Sequence, residues 1–308
     1  MADDETDLPR GIALAWGIAA DPQRGPKREM SVERIVDTAV ALADAEGIGA
    51  VSMAAVAARL GFTPMSLYRY VSAKDDLLLL MQEHATGLPP EAHREQVGWR
   101  AKLESLYDAA VAVYLEHPWI LTLPITGSPV TPNSSAWLDA SLDALGETGL
   151  SPTERIGVAL AVMGQARWCG IVFAGYTEQA RATGLNAEQI SQQESALFDR
   201  VITADEFPAL RAAVDDGVFL DDSDTFRFGL HRLLEGVAAY VDERAAGAGP
   251  VPPVQWQSED PPQVLADKKV REKRKALREA EKALHAARKE ERLALREARA
   301  RAAREGGA

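Results

Sequence analysis

The sequence predicts an all-α fold, with three short helices in a helix-turn-helix arrangement, a larger helical body behind them, and a charged helix at the end. Three observations carry this expectation. Apolar residues recur at intervals of three and four through most of the chain, and no stretch alternates with the period of two that a half-buried strand needs. Between residues 31 and 71 three short helical patterns follow one another with glycines at their joints. Residues 267–308 hold 15 Lys and Arg against 8 Asp and Glu and read as one solvated helical stretch.

The elements follow in order. Residues 1–30 form an N-terminal arm with an acidic start, an apolar stretch over 11–20 that contains Trp16, and a turn-rich basic segment ending in Lys27 and Arg28. Ser31 opens a helix whose Val32, Ile35, Val36, Ala39, Val40 and Ala43 share one face, and Gly47 stops it. Ser52 caps a second helix, in which Met53, Val56, Ala57 and Leu60 repeat the pattern for two turns until Gly61. Thr63 caps a third, and Pro64 suits its first position because a missing N–H costs nothing there. Leu67, Tyr70 and Val71 face inward, a break over 72–75 follows, and a fourth helix covers 77–84. Beyond Pro89 and Pro90 the patterns lengthen, to 99–116, 119–126, 134–146, 152–176, 186–198 and 225–243, with prolines at the joints. The predicted domains are therefore a helix-turn-helix unit over 31–90 and a helical body over 91–245. A Pro/Gly-rich linker over 246–266 and a charged helical tail over 267–308 complete the chain.

Composition narrows the function classes. With 46% hydrophobic residues and six Trp, 308 residues suffice for two domains with a real core. No run of 18 uninterrupted apolar residues occurs, and the N-terminus is acidic where an export signal would be basic and then apolar. The expectation is a cytoplasmic protein with no membrane partner. One cysteine, Cys169, makes no internal disulfide, and the five His show no metal-ligand spacing, so neither metal nor cofactor is expected. No GxSxG, phosphate loop or paired carboxylates stand out, which argues against an enzyme. The net charge of -12 divides into +7 for residues 267–308 and -19 for 1–266. Residues 24–86, with 7 Lys and Arg against 8 Asp and Glu, are the least acidic part of that body.

In a helix-turn-helix the second helix braces the third across the DNA backbone while the third enters the major groove. With Leu67 at the centre of the buried face, Met65, Arg69 and Ser72 point outward, flanked by Ser66 and Tyr68. Arg69 suits a bidentate contact to guanine, Ser66 is a less selective donor and Met65 suits a thymine methyl, while Tyr68 and Lys74 suit phosphate. Any short helical hairpin exposes such a face, so spacing alone leaves a plain hairpin open.

Residues 31–86 resemble the TetR-type helix-turn-helix, above all in AEG at 45–47, VSMAAVAARLG at 51–61 and MSLYRYV at 65–71, followed by Lys74, Leu77 and Leu78. The resemblance implies a homodimeric transcription regulator, a repressor that a small molecule releases from a palindromic operator on double-stranded DNA. It implies that Ser52 caps the bracing helix and touches phosphate, and that Thr63, Pro64, Met65, Ser66, Tyr68, Arg69 and Tyr70 form the recognition helix. Lys74, and in the arm Lys27 and Arg28, are the further candidate DNA contacts. Ala54 and Ala55 stand where relatives often carry basic residues, so one contact from the bracing helix is missing. The competing readings are a DNA-organising protein with little sequence preference and an enzyme that uses the helical core.

The 152–176 pattern is apolar nearly all round, with Ile156, Leu160, Met163 and Phe173 on one side and Val158, Val162, Cys169 and Val172 on another. Such a helix must be buried on two sides. Glycines seven apart, Gly157 and Gly164 here and Gly229 and Gly236 in 225–243, permit close packing, either within one subunit or, as the resemblance implies, in a four-helix dimer interface. Residues 116–119 (EHPW) are similar to the C-terminal domain of the tetracycline-repressor subgroup, which implies a ligand-binding and dimerisation domain with a pocket inside the core. Candidates to line it are Tyr107, His117, Trp119, Trp137, Arg167, Trp168 and Phe173, a set suited to a hydrophobic or aromatic effector. Residues 177–224 read as a lid or as a solvated loop. In the tail, Leu277, Ala280, Leu284 and Ala287 make two heptads before Glu291 interrupts, fewer than a sustained coiled coil needs. A solvated helix and a helix that adds phosphate contacts both remain open.

Overall fold

A computed structural model describes residues 8–18, 30–125, 130–221, 223–251 and 261–305. Among them are thirteen α-helices and no strand, so the chain is all-α. It divides into two compact units, Met1–Gly249 and Pro250–Ala308.

The first unit begins with α1 (Arg10–Ala15), α2 (Val32–Glu46), α3 (Met53–Leu60), α4 (Pro64–Leu67) and α5 (Lys74–Thr86). Helix starts follow their caps: Ser31 Oγ accepts from the Arg34 N–H and Ser52 Oγ from the Ala55 N–H. Gly61 takes φ 77° and ψ 26°, a left-handed conformation that costs an L side chain energy and that turns the chain from α3 into α4. Ile35, Val36, Val56, Leu67, Leu77 and Met81 close one apolar core beneath these helices. Three local expectations change. Thr63 occupies the cap position of α4, but its hydroxyl pairs with that of Ser66 at 3.0 Å and caps no backbone N–H. Regular helix there lasts four residues and continues as turn through Tyr70, which leaves Ser72 outside the helix, where it donates to Asp76 at 2.8 Å. α5 starts at Lys74 and so absorbs part of the predicted break; Asp75 and Asp76 in its first turn face the positive end of the helix dipole.

α1 lies in the predicted arm and is too short to show periodicity in sequence. It packs on α5 closely enough that a Cβ on Gly11 would stand 2.7 Å from Asp76 Oδ1. Just after it, Trp16 Nε1 donates to the Val130 carbonyl at 2.7 Å. Lys27 and Arg28 lie outside the described residues.

The rest of the first unit comprises α6 (Trp99–Glu116), a 3-10 turn at Pro118–Thr122, α7 (Pro132–Ala144), α8 (Pro152–Thr183), α9 (Ala187–Val201), α10 (Pro208–Asp215) and α11 (Thr225–Ala245). Leu103, Leu106, Trp137, Val162, Leu230 and Leu234 form a second core between α6, α7, α8 and α11. The helix expected over 119–126 is only the 3-10 turn, because Pro124 forces Leu123 into extended backbone with ψ 138°. Residues 177–224 are mostly helical: α8 runs on to Thr183, and α9 and α10 form a hairpin in which Phe198 stacks on Phe219 at 4.1 Å and Arg211 joins Asp199 to Asp215. α8 is the one described helix long and apolar enough to cross a membrane, and 28% of its most apolar stretch is buried within the chain.

The second unit holds α12 (Pro262–Ala266) and α13 (Lys268–Glu305). Residues 252–260 of the predicted linker lie outside the described residues.

Candidate functional site

Two features of the first unit are candidates for the functional site, the exposed face of α4 and a cavity in the helical body. At the face, Leu67 is wholly buried and thereby fixes which side of α4 looks out. Met65 is 74% and Tyr68 44% exposed, and Thr63, Pro64 and Arg69 are exposed with them. Ser66 is half-buried. Tyr70 packs partly against the core, so its part is to seat α4. Ser52 spends its acceptor on the α3 cap and keeps its hydroxyl proton for an outside acceptor. Lys74 stands exposed at the first position of α5, and neither it nor Arg69 has an ion-pair partner among the described residues. Arg59, the other cation of the hairpin, pairs with Glu46 at the end of α2. The arrangement presents one guanidinium, one ammonium and several hydroxyls to a polyanion, on a convex helix end of the size a major groove admits.

The cavity measures about 210 Å³ and is lined by α5, α6, α7, α8 and the 3-10 turn. Its walls are mostly apolar, with Tyr114, Ile120, Trp137, Leu138 and Met163, and its polar points are Gln82, Thr86, Ser134, Ser141 and Arg167. Of the seven residues expected to line a pocket, Trp137 and Arg167 do. Tyr107 is buried in the second core away from it, and that burial raises the pKa of its hydroxyl. Trp168 is 56% exposed, and Phe173, 41% exposed, packs against Phe226 of α11 at 5.7 Å. His117 and Trp119 belong to a different feature: His117 Nδ1 lies 2.8 Å and Trp119 Nε1 2.7 Å from the same Asp44 Oδ1 on α2. Tyr114 and Met163, which sequence alone passed over, were legible only as further apolar positions of α6 and α8. Burial beside Arg167 raises the Tyr114 phenol, with the guanidinium partly opposing the shift.

The cavity and the reading face share supports. Arg167 donates to the Leu121 and Leu123 carbonyls at 3.0 and 3.2 Å, pinning the 3-10 turn whose Trp119 and Ile120 are buried in the core of the helix-turn-helix. On the other side, the buried Glu83 of α5 accepts from the Asn133 N–H at 2.5 Å, the Asn133 amide donates back to the Glu83 carbonyl, and Trp137 Nε1 donates to the Gly87 carbonyl at 3.0 Å. Gln82 and Thr86 of the same α5 line the cavity.

Comparison with known proteins places the helix-turn-helix and the helical body in one family. Residues 35–81 match the model for bacterial regulatory proteins of the tetR family, and residues 90–241 match that of the tetracyclin repressor-like C-terminal domain. The chain is 32% identical over 246 residues to the HTH-type transcriptional repressor DrrR1 of Streptomyces coeruleorubidus, covering 79% of this chain and 90% of that protein. It is 29% identical over 245 residues to an HTH-type transcriptional regulator of Saccharopolyspora erythraea, with 77% and 97% covered. A possible TetR family regulator from Streptomyces coelicolor A3(2) superposes with a TM-score of 0.53 at 25% identity, over 68% of this chain and all of that one. The S. coelicolor TetR family protein ActR, solved in complex with actinorhodin, superposes at 0.57 with 23% identity over 72% of this chain and all of its own, a likeness of fold. The helix-turn-helix with its exposed α4, followed by this helical body, is thus that of a DNA-binding transcription regulator, and the chain belongs to the TetR family.

Proposed function

We propose that the protein is a homodimeric repressor of the cytoplasm, released from a palindromic operator when a compact, largely apolar molecule with an acidic or carbonyl oxygen enters the cavity. The observation that carries this reading is the double role of Arg167, which is both a wall of the cavity and the clamp on the Leu121 and Leu123 carbonyls. An oxygen that draws Arg167 inward competes with those carbonyls and loosens the 3-10 turn beneath the helix-turn-helix. The effector then favours a state with differently placed α4 helices and lowers DNA affinity by its differential binding to the two states. ActR, which shares this fold, was solved with actinorhodin bound, and that makes actinorhodin a first probe for this cavity. The cavity is smaller than the roughly 300–1,000 Å³ of drug-sized ligand sites, which favours a small ring system. We read the protein as no enzyme, since its one thiol, Cys169, is buried and burial raises its pKa, the opposite of what a thiolate nucleophile needs.

The test is a titration of dimer bound to an operator found by protection mapping, with actinorhodin and a panel of planar aromatic compounds as probes. One of them should quench tryptophan fluorescence and raise the operator Kd over one concentration range, and Arg167→Met should uncouple the two. If every compound that binds the core leaves operator affinity unchanged, in wild type and variant alike, induction is refuted.

A further inference from the structure

The second unit is organised by charge. α13 runs unbroken over Lys268–Glu305, about 57 Å at 1.5 Å per residue. Its 15 Lys and Arg stand against seven Glu, so one-to-one pairing leaves eight cations over. The two described pairs, Lys275 with Glu279 at 4.0 Å and Arg301 with Glu297 at 3.9 Å, join exposed side chains and hold little energy. The cations are also ordered. Arg271, Lys275, Arg278 and Lys282 follow at intervals of four, three and four, all exposed, and the sequence places Lys or Arg on the same steps at 289, 292, 296 and 299, with a neutral histidine at 285. That spacing holds them on one face of a helix. Glu272, Glu279, Glu290 and Glu297 fall about a quarter-turn away on the same 100° spacing, and Leu277 and Leu284 fall on the far side. Positive charge is densest at the start, where residues 268–278 hold seven Lys and Arg against Glu272 alone.

We infer that α13 is a second, sequence-independent DNA-binding element, a rail that lies along the phosphates of duplex flanking the operator. A stiff rod with a cation about every 5 Å along one face complements a linear polyanion that carries one charge per roughly 1.7 Å of axis. It also meets a need of this chain, because a body of net charge -19 is repelled by the DNA that its α4 must read. A second copy of α13 is a poorer occupant: Leu277 and Leu284 offer two heptads before Glu291 ends the seam. Only the choice of partner rests on the proposed function; the ordering of the charges stands without it.

The experiment compares two full-length variants of equal charge. Arg271→Gln, Lys275→Gln, Arg278→Gln and Lys282→Gln together empty the stripe, while Lys269→Gln, Lys273→Gln, Arg288→Gln and Arg301→Gln remove as many cations elsewhere on the helix. Affinities for operator and for random duplex are measured from low to moderate salt, with circular dichroism confirming equal helix content. Each phosphate that is no longer neutralised flattens the slope of log affinity against log salt by about 0.9. The stripe variant should therefore flatten that slope by roughly 2–4 on both DNAs, keep the operator-to-random ratio, and exceed the effect of the control variant at least twofold. An unchanged slope overturns the rail, and so does an equal effect of both variants, which is bulk charge. A rise in DNA affinity on emptying the stripe overturns it in favour of the chain's own acidic body. A change of oligomeric state without a change of slope overturns it in favour of a second copy. Absence of any operator preference in the wild type refutes the repressor reading alone, since the slope on random duplex is still read.

Discussion

Arg69 stands exposed on α4 without an ion-pair partner among the described residues, and the buried Leu67 two residues earlier fixes the face it occupies. A guanidinium held there matches the two acceptors of guanine in the major groove, so Arg69→Ala should cost about 1–3 kcal/mol of operator binding and relax preference at one base position per half-site. Binding to a set of singly substituted operators measures both, and wild-type affinity in a folded variant removes Arg69 from the reading face. Asp44 makes a different prediction. Its Oδ1 takes the Trp119 indole N–H and faces His117 Nδ1, so Asp44→Ala leaves buried polar groups unpaired and should cost about 1–3 kcal/mol in urea unfolding. Asp44→Asn keeps an acceptor and should cost less; equal losses would show that the charge itself holds the turn. These two residues also mark what sequence reveals at this scale. The exposure of Met65 and Arg69 and the cap at Ser52 depend on neighbours within one turn of helix and were legible. His117 and Trp119 looked like pocket residues because their partner lies 73 and 75 positions away, a distance over which periodicity carries no information.

Among the helices, long amphipathic patterns were read closely and short or proline-bounded ones were not. The 99–116 helix matches its pattern residue for residue, whereas α1, α10 and the 3-10 turn are too short to show a period or are cut by proline. How helices approach one another was hidden as well. α6 and α8 meet at Gly170, where an added Cβ would stand 2.8 Å from the Tyr114 Cβ. Gly170→Ala must therefore push Tyr114, which lines the cavity, and should cost about 1–3 kcal/mol of stability while weakening ligand binding. Thermal unfolding beside a ligand titration checks this, and an unaltered ligand affinity would separate the helix contact from the cavity. A second tie joins α8 to α11. Glu154 completes the capping box with Ser151 and accepts the Tyr240 hydroxyl at 2.5 Å, and that donation, followed by the Ser151 bonds, lowers its pKa from 4.5 to about 2. The folded chain thus keeps Glu154 ionised over a window in which the unfolded chain takes up a proton. Its contribution is complete above about pH 4.5 and is lost as pH falls through 2. Glu154→Gln should flatten the stability–pH curve within that window, and a curve as steep as that of wild type would assign the acid limb to other carboxylates.

At the scale of the whole molecule, α8 shows why one chain is not the working unit. One face packs inward through Ala159, Val162, Ala166 and Cys169, while Ile156 and Ile171 remain exposed on the other. The sequence required burial on two sides, and the chain supplies one. The glycines agree: Gly157, Gly164 and Gly236 are open, with no described atom of the chain within 4 Å of an added Cβ, whereas Gly229 meets Gln165 at 3.2 Å. Three of the four glycines spaced seven apart are thus open to an approach from outside, and we propose that a second copy related by a two-fold axis makes it with the same patch. That symmetry also sets the operator, since two α4 helices must meet half-sites about one DNA turn, roughly 34–36 Å, apart. Gly164→Trp or Gly236→Trp should block the approach without touching either core of the single chain. By light scattering the variants should be folded monomers, and they should bind an isolated half-site as wild-type monomer would while losing the gain that wild type has on a full palindrome. Folded monomers that still bind the palindrome as tightly as wild type would move the dimer interface away from α8 and α11. Tryptophan variants that stay dimeric would leave α8 and α11 as core helices of one subunit, with their exposed apolar face unaccounted for by self-association.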